Sequence, residues 1–153
     1  MSLCCDVLSL LKGKTLVTAE SLTGGGIGAA LTAVSGASAV YKGGIISYTN
    51  EVKHQLLGVP MDTLEQFGAV SEPVARAMAE GARKALKADA AVSVTGLAGP
   101  GGDDYGNPVG TVFIGYSDAA VTEVRHCLFD GDRESIRKQT AEAALKLILK
   151  YNA

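Results

Sequence analysis

The residues best equipped for chemistry crowd into "TLVTAESLTGGGIGAAL", Thr15 to Leu31, where Glu20, Ser21 and Thr23 run into three glycines. β-Branched residues lead in, as in a strand, and small apolar residues at helical spacing lead out. Two readings of this junction stay open on residue type alone. In one, Ser21 or Thr23 caps a helix and the glycines make a tight turn against a sheet. In the other, Ser21 is a nucleophile at the C-terminal end of a strand, where the unpaired N–H groups of a helix N-terminus hold a phosphate or a developing oxyanion. No Gly-Lys-Ser/Thr follows, GxGxxG is missing from the required place, and the serine is not in a GxSxG elbow.

A nucleophilic serine needs a base. Only two histidines exist: His54 on a short polar helix, and His126, which alternates with apolar Cys127 in a late strand and reads as solvent-facing or structural. A Ser-His-Asp triad is therefore disfavoured. A lysine serves if a desolvated pocket removes its proton. Lowering a lysine from about 10.4 to near 7.5 takes roughly 4 kcal/mol of differential stabilisation. "SYTNEVK" supplies Lys53 and Tyr48, although by spacing alone Lys53 reads as a solvated helix lysine. A second glycine-rich stretch, "VTGLAGPGGDDYGNPVGTV", places Thr95 at a strand end and frees backbone amides at Gly96, Gly99, Gly101 and Gly102 for an anion. Asp103 and Asp104 read as a solvated tip, and no metal is expected. Arg133, at the start of the last helix, is either a phosphate partner or a neighbour of a cap supplied by Asp130 or Asp132.

The elements that must position these groups follow from periodicity and turn chemistry. A short amphipathic helix is expected over 2–12, strands over 15–19 and 44–48, and a Gly/Ala-rich helix over 23–33. Asn50 is expected to cap a helix running to Leu57 and closed by Gly58. Pro60 starts a short helix that ends at Gly68. Ser71 caps a long helix with Val74, Met78, Ala82, Ala85 and Leu86 on one stripe. "DAAVSVTG" is a third strand, a hairpin turns around 117–119, and the chain closes as an amphipathic helix. Strands separated by helices, then a hairpin, imply an α/β fold: a three-layer α/β/α sandwich with a mixed, mostly parallel sheet.

Composition sets outer limits. The chain has 153 residues, which is most simply a single domain over 1–153. It is 47% hydrophobic but only 5% aromatic, without tryptophan, so its core must be aliphatic. The net charge of −2 and the scattered Lys and Arg argue against a nucleic-acid partner. No apolar run is long enough to span a bilayer, and no signal-peptide pattern opens the chain. Cys4, Cys5 and Cys127 lack metal-ligand spacing, and a reducing cytoplasm is their simplest home. Ala-rich helix faces leave room for a homo-oligomer.

Together, "TAESLTGG", "YTNEVKHQLLGV", "GAVSEPVARAMAEGA", "AVSVTGLAGPGG", "NPVGTV" and "FDGDRESIR" resemble the CinA C-terminal domain family, from Thr15 to Arg137. The family usually has cysteine where this chain has Leu22. None of the large N-terminal domain of full-length members is matched, and no function of that domain carries over. The resemblance implies a nicotinamide-nucleotide amidase of pyridine nucleotide salvage and NAD metabolism, needing no cofactor. Nicotinamide mononucleotide would be its small-molecule substrate. Onto matching positions it carries Ser21 as nucleophile, Lys53 as base, Tyr48 as orienting or relay group and Thr95 at the oxyanion or substrate site. On that reading Thr23, Gly24, Gly25, Gly96 and Gly99 offer amides to the oxyanion or 5′-phosphate. Glu20 holds either Lys53 or the ribose hydroxyls, and Arg133 meets the phosphate. The alternatives are a nucleotide-binding module without turnover and an interaction role in competence or damage responses.

Overall fold

The computed structural model describes residues 2–153; Met1 lies outside the described residues. Five strands form one sheet: β1 (Leu16–Glu20), β2 (Tyr41–Ile46), β3 (Ala90–Gly96), β4 (Thr111–Asp118) and β5 (Thr122–Leu128). Their order across the sheet is β2-β1-β3-β4-β5. β1 pairs in parallel with both β2 and β3, whereas β3–β4 and β4–β5 are antiparallel. Only β4 is thus reversed, so the sheet is mixed but mostly parallel.

Helices cover both faces. On one face α1 (Ser2–Leu10), α2 (Gly26–Thr32) and α6 (Arg133–Asn152) bury Leu16, Val92, Val94 and Ile114 of the strands against Leu31, Ile136 and Ile148. On the other, α3 (Asn50–Leu57), α4 (Met61–Phe67) and α5 (Glu72–Ala85) close over Val17, Ala19 and Ala91. The period of two along β1 assigns Leu16 to one core and Val17 to the other, so a single strand ties both together. No helix among the described residues is long and apolar enough to cross a membrane.

Several element boundaries differ from the sequence reading for local reasons. α2 begins at Gly26 rather than at residue 23, because Gly24 and Gly25 hold φ of +59° and +99°, which a right-handed helix does not admit. Its N-cap is therefore Gly25, not Ser21 or Thr23. Thr49, not Asn50, caps α3, its hydroxyl accepting from the Val52 amide. Ser71 is the N-cap residue of α5 as expected, although its hydroxyl donates to Gly68 O and accepts from no amide of the helix. The α5 stripe shifts as well: Val74, Met78 and Ala82 are buried with Ala75 and Ala79, while Ala85 is exposed.

Candidate active site

The parallel alignment of β1 and β3 decides where the two glycine-rich stretches meet. Glu20 lies opposite Val94, and the Ser21 amide donates to Val94 O, so Ser21 and Thr95 leave the sheet together at the C-terminal edge of both strands. On the other side of β1, the Ser47 amide and hydroxyl both donate to Glu20 O. That pairing carries the β2–α3 connection past Ser21 and sets the root of Lys53.

Lys53 is the central finding. It occupies the same face of α3 as Leu57, four residues on, and both point into the protein. The Lys53 side chain is 1% exposed, and its Nζ lies 2.9 Å from Ser21 Oγ. Nζ also donates to Ser47 O at 2.7 Å and Tyr48 O at 3.2 Å. Its three neighbours are neutral oxygens, with no carboxylate to stabilise the charge. Burial therefore pulls the Lys53 ammonium down to about 8. The polar helix that makes Lys53 look solvated in the sequence hides a buried stripe; its i, i+4 spacing from Leu57 is the signal that could have found it.

Glu20 is bonded to its own stretch of chain rather than to Lys53. Its carboxylate accepts from Thr23 Oγ1 at 2.7 Å, Ile27 N at 2.9 Å, Gly28 N at 3.0 Å and Thr18 Oγ1 at 3.2 Å. The first turn of α2 is thus capped by a carboxylate of its own chain. A phosphate has no vacancy there, and Lys53 Nζ finds its partners elsewhere. Gly24 N donates to Ser21 O and Gly26 N to Thr23 O, which closes the turn. Among the described residues, the amides of Leu22, Thr23 and Gly25 meet no acceptor. Leu22, which stands where a cysteine is usual, is 4% exposed and packs into the core between the sheet and α6, so that position serves packing here.

A cleft of about 190 Å³ opens beside Leu22, lined also by Tyr48, Gly96, Leu97, Gly99 and Arg133. Arg133 spans it, donating to Gly99 O at 2.6 Å and to the Tyr48 hydroxyl at 3.4 Å. The Tyr48 ring is exposed; its carbonyl, not its hydroxyl, meets Lys53. Thr95 is buried and donates to Ala69 O, and a side chain at Gly96 would collide with Val112 and Thr111 O. Gly96 is therefore needed for close packing as well as for any amide it offers. Asp103 is no bare tip: it accepts from Tyr105 N, Asn107 N and Asn107 Nδ2 and holds the loop in shape. His126 stacks on Phe113 at 4.5 Å, and His54 bonds Val59 O, so neither histidine serves Ser21.

Sequence reasoning passed over Arg137. From α6 it donates Nε to Leu22 O at 2.8 Å and Nη2 to Thr23 O at 3.1 Å, gripping the turn that carries Ser21. The "DRESIR" pattern contains it, but only the tertiary fold brings it 115 residues back along the chain.

Comparison with known proteins identifies the family. Residues 3–152 match the model of the CinA C-terminal domain. A CinA-like protein of Parasynechococcus marenigrum (strain WH8102) is 58% identical over 118 residues, 76% of this chain, although the chain spans only 28% of that protein. The nicotinamide-nucleotide amidohydrolase PncC of Escherichia coli (strain K12) is 45% identical over 139 residues, 90% of this chain and 84% of that protein. The crystal structure of a competence or damage-inducible protein from Enterobacter asburiae superposes with a TM-score of 0.96 at 35% identity, covering 99% of this chain and 96% of that one. With nearly every residue inside the family match and the same fold recovered at that identity, the chain belongs to the CinA C-terminal domain family.

Proposed function

We propose that this chain hydrolyses the carboxamide of nicotinamide mononucleotide, giving nicotinate mononucleotide and ammonia, with Ser21 as nucleophile and Lys53 as its base. One observation carries the reading: a buried lysine amine, its ammonium pulled down to about 8 by burial, lies 2.9 Å from a hydroxyl at the C-terminal edge of a parallel strand pair. The activity named for the E. coli relative, over 84% of that protein, supplies the substrate.

The proton inventory explains why the two carbonyls matter. As an ammonium, Lys53 has three N–H groups for three acceptors. As a neutral amine it has two, which Ser47 O and Tyr48 O take. The lone pair is then left facing the Ser21 hydroxyl. Neutral Lys53 accepts the hydroxyl proton as Ser21 Oγ forms a bond to the amide carbon, and the carbonyl electron pair moves onto oxygen. The Leu22 and Thr23 amides, unpartnered among the described residues, are the natural donors to that oxyanion. As the intermediate collapses, the C–N bond breaks and the Lys53 ammonium protonates the departing nitrogen, releasing ammonia. A water, deprotonated by the regenerated amine, attacks the ester carbon and frees Ser21 and the acid.

The ribose phosphate is assigned to the cleft between Tyr48 and Gly99, with Arg133 at its mouth. That end replaces the α2 N-terminus, which Glu20 fills. No nucleic acid, membrane or cofactor enters the reaction, and the reading places the protein in the cytoplasm with its nucleotide substrate. Mass spectrometry of nicotinamide mononucleotide after incubation tests it: amide-to-acid conversion adds about one dalton, with ammonia released in equal amount. Tight binding measured by calorimetry without conversion would leave a nucleotide-binding module.

A further inference from the structure

Arg137 is absent from the mechanism above, yet it is the group that holds the Leu22–Thr23 peptide. Among the described residues it has no carboxylate partner, and the ion pair present joins Arg76 and Glu72. Instead its planar fork donates to two successive carbonyls, Leu22 O and Thr23 O. The side chain reaches them from α6, passing near Gly24, where an added Cβ would lie 3.5 Å from Nη2.

These two carbonyls are not equivalent. Thr23 O also accepts from Gly26 N, and the N–H of the Thr23–Gly24 peptide donates to Ser21 O, so that unit is fixed at both ends by the turn itself. The Leu22–Thr23 unit lacks such support. Its N–H, on Thr23, meets no acceptor among the described residues, and the partner of its carbonyl is Arg137. In a trans peptide the C=O and N–H point in opposite directions. Fixing Leu22 O toward α6 therefore fixes the Thr23 N–H away from α6. A guanidinium on the carbonyl also withdraws electron density from the amide and strengthens that N–H as a donor.

We propose that Arg137 is a positioning residue: it locks the Leu22–Thr23 peptide so that the Thr23 N–H is held ready for the oxyanion formed when Ser21 attacks. This rests on the Ser21 amidase reading. It goes beyond that reading in assigning the oxyanion donor's orientation to a side chain of the last helix. Lysine cannot replace it, because a point charge on a flexible stem lacks the two-pronged geometry.

Steady-state kinetics with nicotinamide mononucleotide on Arg137→Ala and Arg137→Lys test the proposal, because misorienting one donor slows chemistry without loosening substrate. In both variants kcat should fall about 10- to 100-fold, with KM within about twofold and the pH midpoint of the wild type retained. Millimolar guanidinium chloride should restore part of the kcat lost in Arg137→Ala, whereas sodium chloride at equal ionic strength should not. A raised KM with kcat kept would overturn the proposal and make Arg137 a substrate contact. Unchanged kinetics, or a kcat loss matched by the loss of folded protein in thermal melts, would also overturn it. If the wild type releases no ammonia, the amidase reading itself has failed. The clamp is then judged by amide hydrogen exchange at Thr23: faster exchange in folded Arg137→Ala upholds it, and an unchanged rate sinks it.

Discussion

Glu20 and Lys53 are both almost wholly buried, at 2% and 1% exposure, and both adjoin Ser21, one along the chain and one through a hydrogen bond. Their surroundings differ in kind. The Glu20 carboxylate collects two hydroxyls and two backbone amides, donors that hold it rigidly across β1 and the start of α2. Lys53 is offered oxygens alone, two of them carbonyls that can only accept. The Glu20 cage builds the turn. The Lys53 pocket leaves a proton loosely held at a cost to stability, as the proposed base role requires. On the proposed reading, two buried side chains beside one serine thus divide into scaffold and machinery, and their hydrogen-bond partners differ accordingly.

The strongest way to attack that division is through the machinery. Ser21→Ala should fold like the parent and lose ammonia release by at least about 10⁴-fold, and Lys53→Met by a comparable factor, since groups that act as a unit fail together. In the parent protein, kcat/KM for the proposed reaction should climb with pH through a midpoint near 8, where Lys53 becomes neutral. Substantial turnover in Ser21→Ala, or a profile flat from pH 6 to 9, would remove the dyad.

The cost of the Lys53 pocket is measurable without substrate. Lys53 has a lower pKa folded, about 8, than unfolded, about 10.5, so between those values the unfolded chain binds more protons. Stability must then rise with pH across that window, and the burial penalty is felt in full below it. Urea unfolding of parent and Lys53→Met should show their stability difference shifting in the parent's favour by about 3 kcal/mol from pH 8 to 10.5. Parallel curves across that range would mean the amine is not desolvated in solution.

A smaller effect is expected from the scaffold. Glu20→Gln keeps one acceptor oxygen but turns an NH₂ toward groups that themselves donate, so it should lower unfolding stability by about 2 kcal/mol. The pH midpoint of any remaining activity should stay where it was. A shifted midpoint would show that Glu20 acts on Lys53 and dissolve the contrast between them.

Much of the architecture was legible because local physics repeats along the chain. The Gly58 stop, the Asp132 cap and the hairpin after Ser117 are short-range effects, and each lies within a residue or two of its expected place. By contrast, β2 starts at Tyr41, three residues before the expected 44–48, because its glycines conceal the alternation. α2 was misread by three residues because glycine permits both helix and left-handed turn, and only the packing around Glu20 chooses. The Glu20 oxygens themselves could not be assigned from sequence, since their donors at 27 and 28 become reachable only after the chain has turned.

Residue order alone pointed to a serine between a strand and a glycine turn, disfavoured a histidine as its base, and implied a mixed α/β sheet to carry it. Tertiary structure decided that Lys53 is buried rather than solvated, that its nitrogen meets Ser21 from 32 residues away, and that Arg137 reaches the turn from the last helix. The physical reason is one of range. Backbone propensity and capping act over a few residues, whereas desolvation depends on everything packed around a group, and that is known only once the sheet has brought β1, β2 and β3 side by side.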